Sequence, residues 1–125
     1  MSEGEARKLD SPLMIFSLDD ETARLRKGAQ WASSERAAIT LIKTSDFRIV
    51  LIALGLGKIM HAHRAEGPIT LLVQQGLVRL KAEGLEHVLK RETLFTLGHG
   101  ITHEIEALEE STFLLTIVQP HDSTS

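Results

Sequence analysis

The sequence predicts an all-β domain of the sandwich or barrel type. Three observations carry this. From Ala37 onward the chain is made of short runs rich in Ile, Val, Leu and Thr. These runs are cut by Gly, Ser, Asp or Pro at intervals of about ten residues, the spacing of consecutive strands and turns. The apolar runs are also short and β-branched, which favours strand over helix. At 125 residues the chain has the size of one domain and buries enough surface to fold without covalent staples.

The elements follow in order. Residues 1–12 are charged and polar and are expected to be a loose end, as is the tail 119–125, leaving residues 13–118 as the domain. Ser17 is placed to cap a short helix. Its first turn carries Asp19, Asp20 and Glu21, its last turn Arg24, Arg26 and Lys27, and Gly28 ends it, an order of charge that suits the helix dipole. Asp20 and Arg24 are spaced to pair. Trp31 lies in the connection that follows and is expected to anchor it on the barrel. Strands are then expected over 37–43, 47–54, 58–64, 69–75, 77–82, 85–90, 93–97, 101–107 and 112–118. The segment 47–54, Phe-Arg-Ile-Val-Leu-Ile-Ala-Leu, is apolar on both faces apart from Arg48. One face therefore needs a cover, either the N-terminal helix, a second sheet or a second copy in a homodimer, and the reading leans towards the dimer.

Composition excludes several classes of function. There is no cysteine, so disulfides and thiolate ligands are ruled out and soft-metal chemistry must run through histidine. Fourteen basic and seventeen acidic residues give a formal charge of −3 and are interspersed, so no basic stripe suits nucleic acid. No run approaches the roughly 20 apolar residues of a membrane span, and the N-terminus lacks the apolar core of a signal peptide. The expectation is a cytoplasmic protein with neither nucleic acid nor membrane as partner. Gly55-Leu56-Gly57-Lys58 lacks the spacing of a phosphate-binding loop, and no nucleophile elbow is present.

The chemistry that remains is histidine chemistry. His61 and His63 are alternate residues of one expected strand and so share a face. His103, forty residues on, is expected to point inward with Ile101 and Ile105. Three imidazoles on one interior surface bind Fe, Zn, Ni or Cu and leave positions open for a small-molecule ligand. Glu66, in the turn after His63, is a minor candidate ligand that would have to fold back. By parity Ile69, Leu71, Val73 and Gln75 line the wall, an apolar pocket with one amide at its edge. The chain has no tyrosine, and no Asp falls near the histidines, so a general acid or base is lacking and oxygen chemistry is easier to support than hydrolysis. His87, His99 and His121 read as surface residues.

The run from Gly55 through His61-Ala62-His63 to Gly76 resembles the first motif of the cupins, Gly, five residues, His-x-His and a closing Gly. Gly98-His99-Gly100-Ile101-Thr102-His103 resembles their second, with Gly98 in place of a proline and Ala107 where an Asn commonly follows. The resemblance spans residues 37–118. It implies a double-stranded β-helix barrel of jelly-roll type behind a short N-terminal helix, with His61, His63 and His103 as metal ligands. The motif's Glu falls at Ile69 or Thr70, which cannot replace it. The chain thus also resembles short single-domain cupins that lack this Glu and have no assigned activity. Two functions follow from the resemblance, a metal-dependent and oxygenase-like enzyme or a non-catalytic module that senses or binds a small ligand.

Overall fold

The structure is a computed structural model that describes residues 13–62 and 67–119. Two helices, α1 (Leu18–Lys27) and α2 (Ala29–Ser34), precede nine strands. These are β1 (Arg36–Lys43), β2 (Phe47–Leu54), β3 (Ile59–Ala62), β4 (Ile69–Gln75), β5 (Leu77–Ala82), β6 (Leu85–Lys90), β7 (Leu94–Leu97), β8 (His103–Ala107) and β9 (Ser111–Val118). The strands form two antiparallel sheets in the orders β1-β2-β9-β4-β7 and β3-β8-β5-β6. The expected strands recur, seven of them within one residue of both expected ends. The largest difference within the described residues is at β8, which starts two residues later because 101–102 serve the turn.

Inside, the two sheets bury one continuous cluster. β2 supplies Ile52 and Leu54, β4 supplies Ile69, Leu71 and Val73, β5 supplies Val78, Leu80 and Ala82, β8 supplies Ile105 and Ala107, and β9 supplies Phe113 and Leu115. Each strand contributes alternate residues, as the pleat requires. Leu71 and Val73 are closed within this core and fill it, as side chains of small barrels do.

At its N-terminus α1 is held by Ser17, whose hydroxyl accepts from the Asp20 N–H at 3.3 Å, and Gly28 ends it. The helices lie over the outer face of β1 and β2. Leu25 packs there with Ala37, Ile39, Leu41, Leu51 and Ala53, and Phe16, Leu18 and Trp31 extend the contact. Trp31 also carries the Arg26 guanidinium over its ring at 5.7 Å. The second apolar face of β2 is thereby covered within the chain, which removes the ground on which the sequence suggested a second copy. The helix α2, which the sequence reading treated as a connection, is a single short turn region ending at Glu35 in the left-handed conformation.

Short connections decide which ends of the two sheets coincide. Gly76 alone joins β4 to β5, and residues 108–110 join β8 to β9, so these ends lie together. The Leu77 N–H donates to Ser111 Oγ at 3.0 Å and the Leu108 N–H to the Leu77 carbonyl at 2.8 Å, closing this end. Gly76 has φ +90°, and a Cβ there would collide with Ser111 Oγ and the Glu110 carbonyl. The opposite end is formed by the start of β4, the end of β9, the end of β5 and the start of β8.

Gly76→Ala combines a disfavoured φ with a backbone clash. It is expected to destabilise the fold by about 2–3 kcal/mol or more, read as a lower urea midpoint. A midpoint equal to wild type would contradict the closed end described above.

Candidate functional site

The open end of the barrel is where the functional candidates fall, and strand register decides where each side chain points. On β8 the inward set is His103, Ile105 and Ala107, all buried, with Glu104 and Glu106 half-buried on the other face. β3 pairs with β8 so that Met60 stands opposite Ile105, His61 opposite Glu104 and Ala62 opposite His103. Met60 packs on the core. His61 is therefore on the outer face and His103 on the inner one.

On the outer face the cross-strand row reads Glu86, Lys81, Glu104, His61 from β6 to β3, alternating in charge. His61 donates from Nδ1 to Glu104 Oε1 at 3.0 Å, and Lys81 lies 3.5 Å from Glu86 and 3.9 Å from Glu104. The next row holds Arg79 on Glu106 at 2.9 Å. The His61 side chain is 75% exposed, so this pairing contributes little to stability.

His103 is its opposite in every respect. It is 5% exposed. Its Nδ1 makes one long bond of 3.4 Å to the Ile101 carbonyl, which only accepts, so Nδ1 carries the proton and Nε2 is an acceptor. Nε2 is buried with no hydrogen-bond partner among the described residues. Burial pushes the imidazole pKa below its ordinary value, and the bond to Ile101 offsets this in part. The ring is thus a neutral acceptor held in one orientation.

A surface cavity of about 430 Å³ lies at this end, bounded by His61, Lys81, Ala82, Glu83, Gly84, Thr102, His103 and Glu104. It wraps over the strand ends, so it is reached by both histidines although they belong to different faces. Its size is in the range of small-molecule sites.

The expected three-histidine metal centre does not assemble from the described residues. His61 is turned outward and engaged by Glu104, and no three His, Asp or Glu side chains among the described residues are grouped to hold a metal. The cause is the inward demand of Met60, which sets the strand's parity. His63 and Glu66 lie outside the described residues. Among the described residues His103 keeps the arrangement of a ligand, one nitrogen oriented by a carbonyl and the other without a partner.

Of the expected pocket wall, Ile69 is buried at the open end, and Leu71 and Val73 lie deeper in the core. Gln75 is exposed. The pairing of β4 with β9 slips between Val73 and Gln75, and this bulge turns Gln75 out of the inward series. Gln74 instead accepts at Oε1 from Thr112 Oγ1 at 3.4 Å. His99 is exposed, as expected, and His87 stands at the surface with its ring 6.1 Å from Phe95.

Arg48 is the residue the sequence reading passed over. It belongs to the inward series of β2 with Val50, Ile52 and Leu54, it is half-buried, and its Nε is buried without a hydrogen-bond partner among the described residues. Its signal was present, as the lone charge in an apolar strand.

The two-sheet jelly roll is similar to solved structures. A cupin superfamily protein from Desulfitobacterium hafniense superposes with a TM-score of 0.66 at 15% identity, over 68% of this chain and 78% of its own. The chain has the cupin fold. A conserved protein of unknown function from Streptococcus pyogenes matches this cupin barrel over 97% of each chain, with a TM-score of 0.71 and 18% identity. Salicylate 1,2-dioxygenase from Pseudoaminobacter salicylatoxidans matches at a TM-score of 0.73 and 12% identity, over 82% of this chain and 32% of its own. At such identities the likeness concerns the fold alone. No protein-family model matches the chain, and no curated protein matches it in sequence. Among the described residues no helix is long and apolar enough to cross a membrane.

The lowered pKa of His103 has a consequence for stability. The unfolded chain, with its histidine near 6.5, takes up a proton before the folded one does, so stability is complete above that pH and falls as the pH drops through the folded value. Urea denaturation of chelator-treated protein between pH 8 and 5 is expected to show this fall. His103→Leu flattens it and His61→Ala keeps it; equal slopes in wild type and His103→Leu would contradict the buried neutral ring.

Proposed function

We propose that this cupin is a binding module for a small molecule, with His103 as the polar anchor of its site at the open end of the barrel. The observation that carries the reading is the buried Nε2 of His103 without a partner. Burying an acceptor unpaired costs free energy, of the order of 1–3 kcal/mol, and a ligand that donates a hydrogen bond recovers it. Support comes from the cavity beside it and from the apolar side chains Ile69, Leu97, Ile101 and Ile117 at the same end, since sites for small molecules combine apolar walls with a few fixed polar groups.

Catalysis has less support. The described residues at this end offer one neutral imidazole and no paired carboxylate directed inward, so proton transfer lacks a second group. The dioxygenase among the fold relatives shares the barrel, and its printed activity passes to this chain no further than the fold. An enzymatic reading is favoured by one observation, the orientation of His103 by a backbone carbonyl, which is how a metal-ligating imidazole is held.

The reading is tested with a library of small neutral and charged fragments, followed through the side-chain nitrogen resonances of the histidines. Fragments that raise the melting temperature are expected to shift Nε2 of His103 more than the nitrogens of His61, and His103→Leu is expected to lose the response. Binders that perturb His61 while His103 stays silent would overturn the proposal.

A further inference from the structure

The last inward-facing rows at the open end of the two sheets place two unsatisfied polar side chains in facing walls. On the five-stranded sheet the row runs Lys43, Arg48, Ile117, Ile69, Leu97. On the four-stranded sheet it runs His103, Ala82, Leu85. No acidic residue occurs in either row. The described ion pairs of arginine use Arg24, Arg26 and Arg79, and Arg48 has none among them. Its neighbour across the strand is Lys43, a like charge, which a sheet disfavours. Among the described residues no ion pair balances this positive charge.

We propose that Arg48 is a ligand-binding residue and that the ligand is a small hydroxycarboxylic acid with an apolar body. The proposal rests on the reading of His103 as the anchor of a small-molecule site and names the chemistry of that molecule. A planar guanidinium at a position of the inward series, its Nε buried without a partner among the described residues, matches the two oxygens of a carboxylate. The His103 ring, with its proton fixed on Nδ1 by Ile101, offers only an acceptor at Nε2 and so repels a carboxylate oxygen and accepts a hydroxyl hydrogen. One cation and one acceptor in opposite walls therefore select a molecule that carries one negative group and one donor. Packed sheets are about 10 Å apart, and the long arginine side chain spans much of this, so a short separation between the two ligand groups suffices. The row's other members, Ile117, Ile69, Leu97 and Ala82, leave an apolar surface for the rest of the molecule. A phosphate fits less well, since a dianion would need more donors than one arginine supplies.

The test is a titration of the full chain with three probes that differ by one group: mandelate, phenylacetate, which lacks the hydroxyl, and mandelamide, which lacks the charge. Mandelate is expected to bind about tenfold or more tighter than either. Arg48→Gln should bring mandelate level with mandelamide, Arg48→Lys should restore part of the preference, and His103→Leu should bring mandelate level with phenylacetate. Urea midpoints of the variants verify that each is folded. If mandelamide binds wild type as tightly as mandelate while the His103 resonances shift, the role of Arg48 is overturned and the anchor at His103 stands. If none of the three probes moves the His103 resonances, the proposal is overturned for this ligand class, while a fragment response at His103 in the library screen would still support the site.

Discussion

The pairing of β3 with β8 that sets Met60 against Ile105 governs everything at the open end, because a strand has only two faces and one residue's choice fixes its neighbours'. Met60 joins the core, so His61 must leave it. Ile105 and Ala107 join the core from β8, so His103 enters with them. A slip of β3 by one residue would exchange its faces, bringing His61 into an apolar interior and expelling Met60. The packing of Met60 on the core opposes that exchange, full burial of such a side chain contributing on the order of 1.5–3 kcal/mol. The fate of the two histidines is thus decided by the hydrophobic residues between and beside them and not by their own chemistry.

The same alternation accounts for the division of charge. The outward rows of the four-stranded sheet pair Lys81 and His61 with Glu104, and Arg79 with Glu106, so their charges are satisfied next to water. The inward rows at the open end carry Arg48 and His103 without such partners. A protein that places its polar groups in pairs on one side of a sheet and leaves two unpaired on the other marks the second side as the one with something still to bind. The helices complete the picture on the far side. They close over β1 and β2 and bury the outer face of that part of the five-stranded sheet.

Much of the fold could be read in the sequence because strand, turn and cap signals are local. Ser17 and Gly28 bound α1, and the β-branched runs gave β2, β4, β5 and β6 their observed ends. The site was less legible, for two physical reasons. In Ile-Met-His-Ala the apolar and polar residues do not alternate cleanly, so periodicity states that His61 shares a face with every second residue and leaves open which face is inward; that is settled by β8, more than forty residues away. The bulge after Val73 is likewise invisible to parity, and it carried Gln75 out of the expected wall. Arg48 was legible as an anomaly, a charge in an apolar strand, and only the register with Ile117 gives it a direction.

The most direct measurement of the central claim, that His61 and His103 do not serve one centre, is the metal content of untagged protein by mass spectrometry. Wild type, His61→Ala and His103→Ala are each incubated with Fe(II), Zn(II), Ni(II) or Cu(II) and freed of excess. The account predicts that His61→Ala retains whatever wild type retains. About one metal per chain in wild type, lost in both variants alike, would contradict it and return both histidines to a shared site.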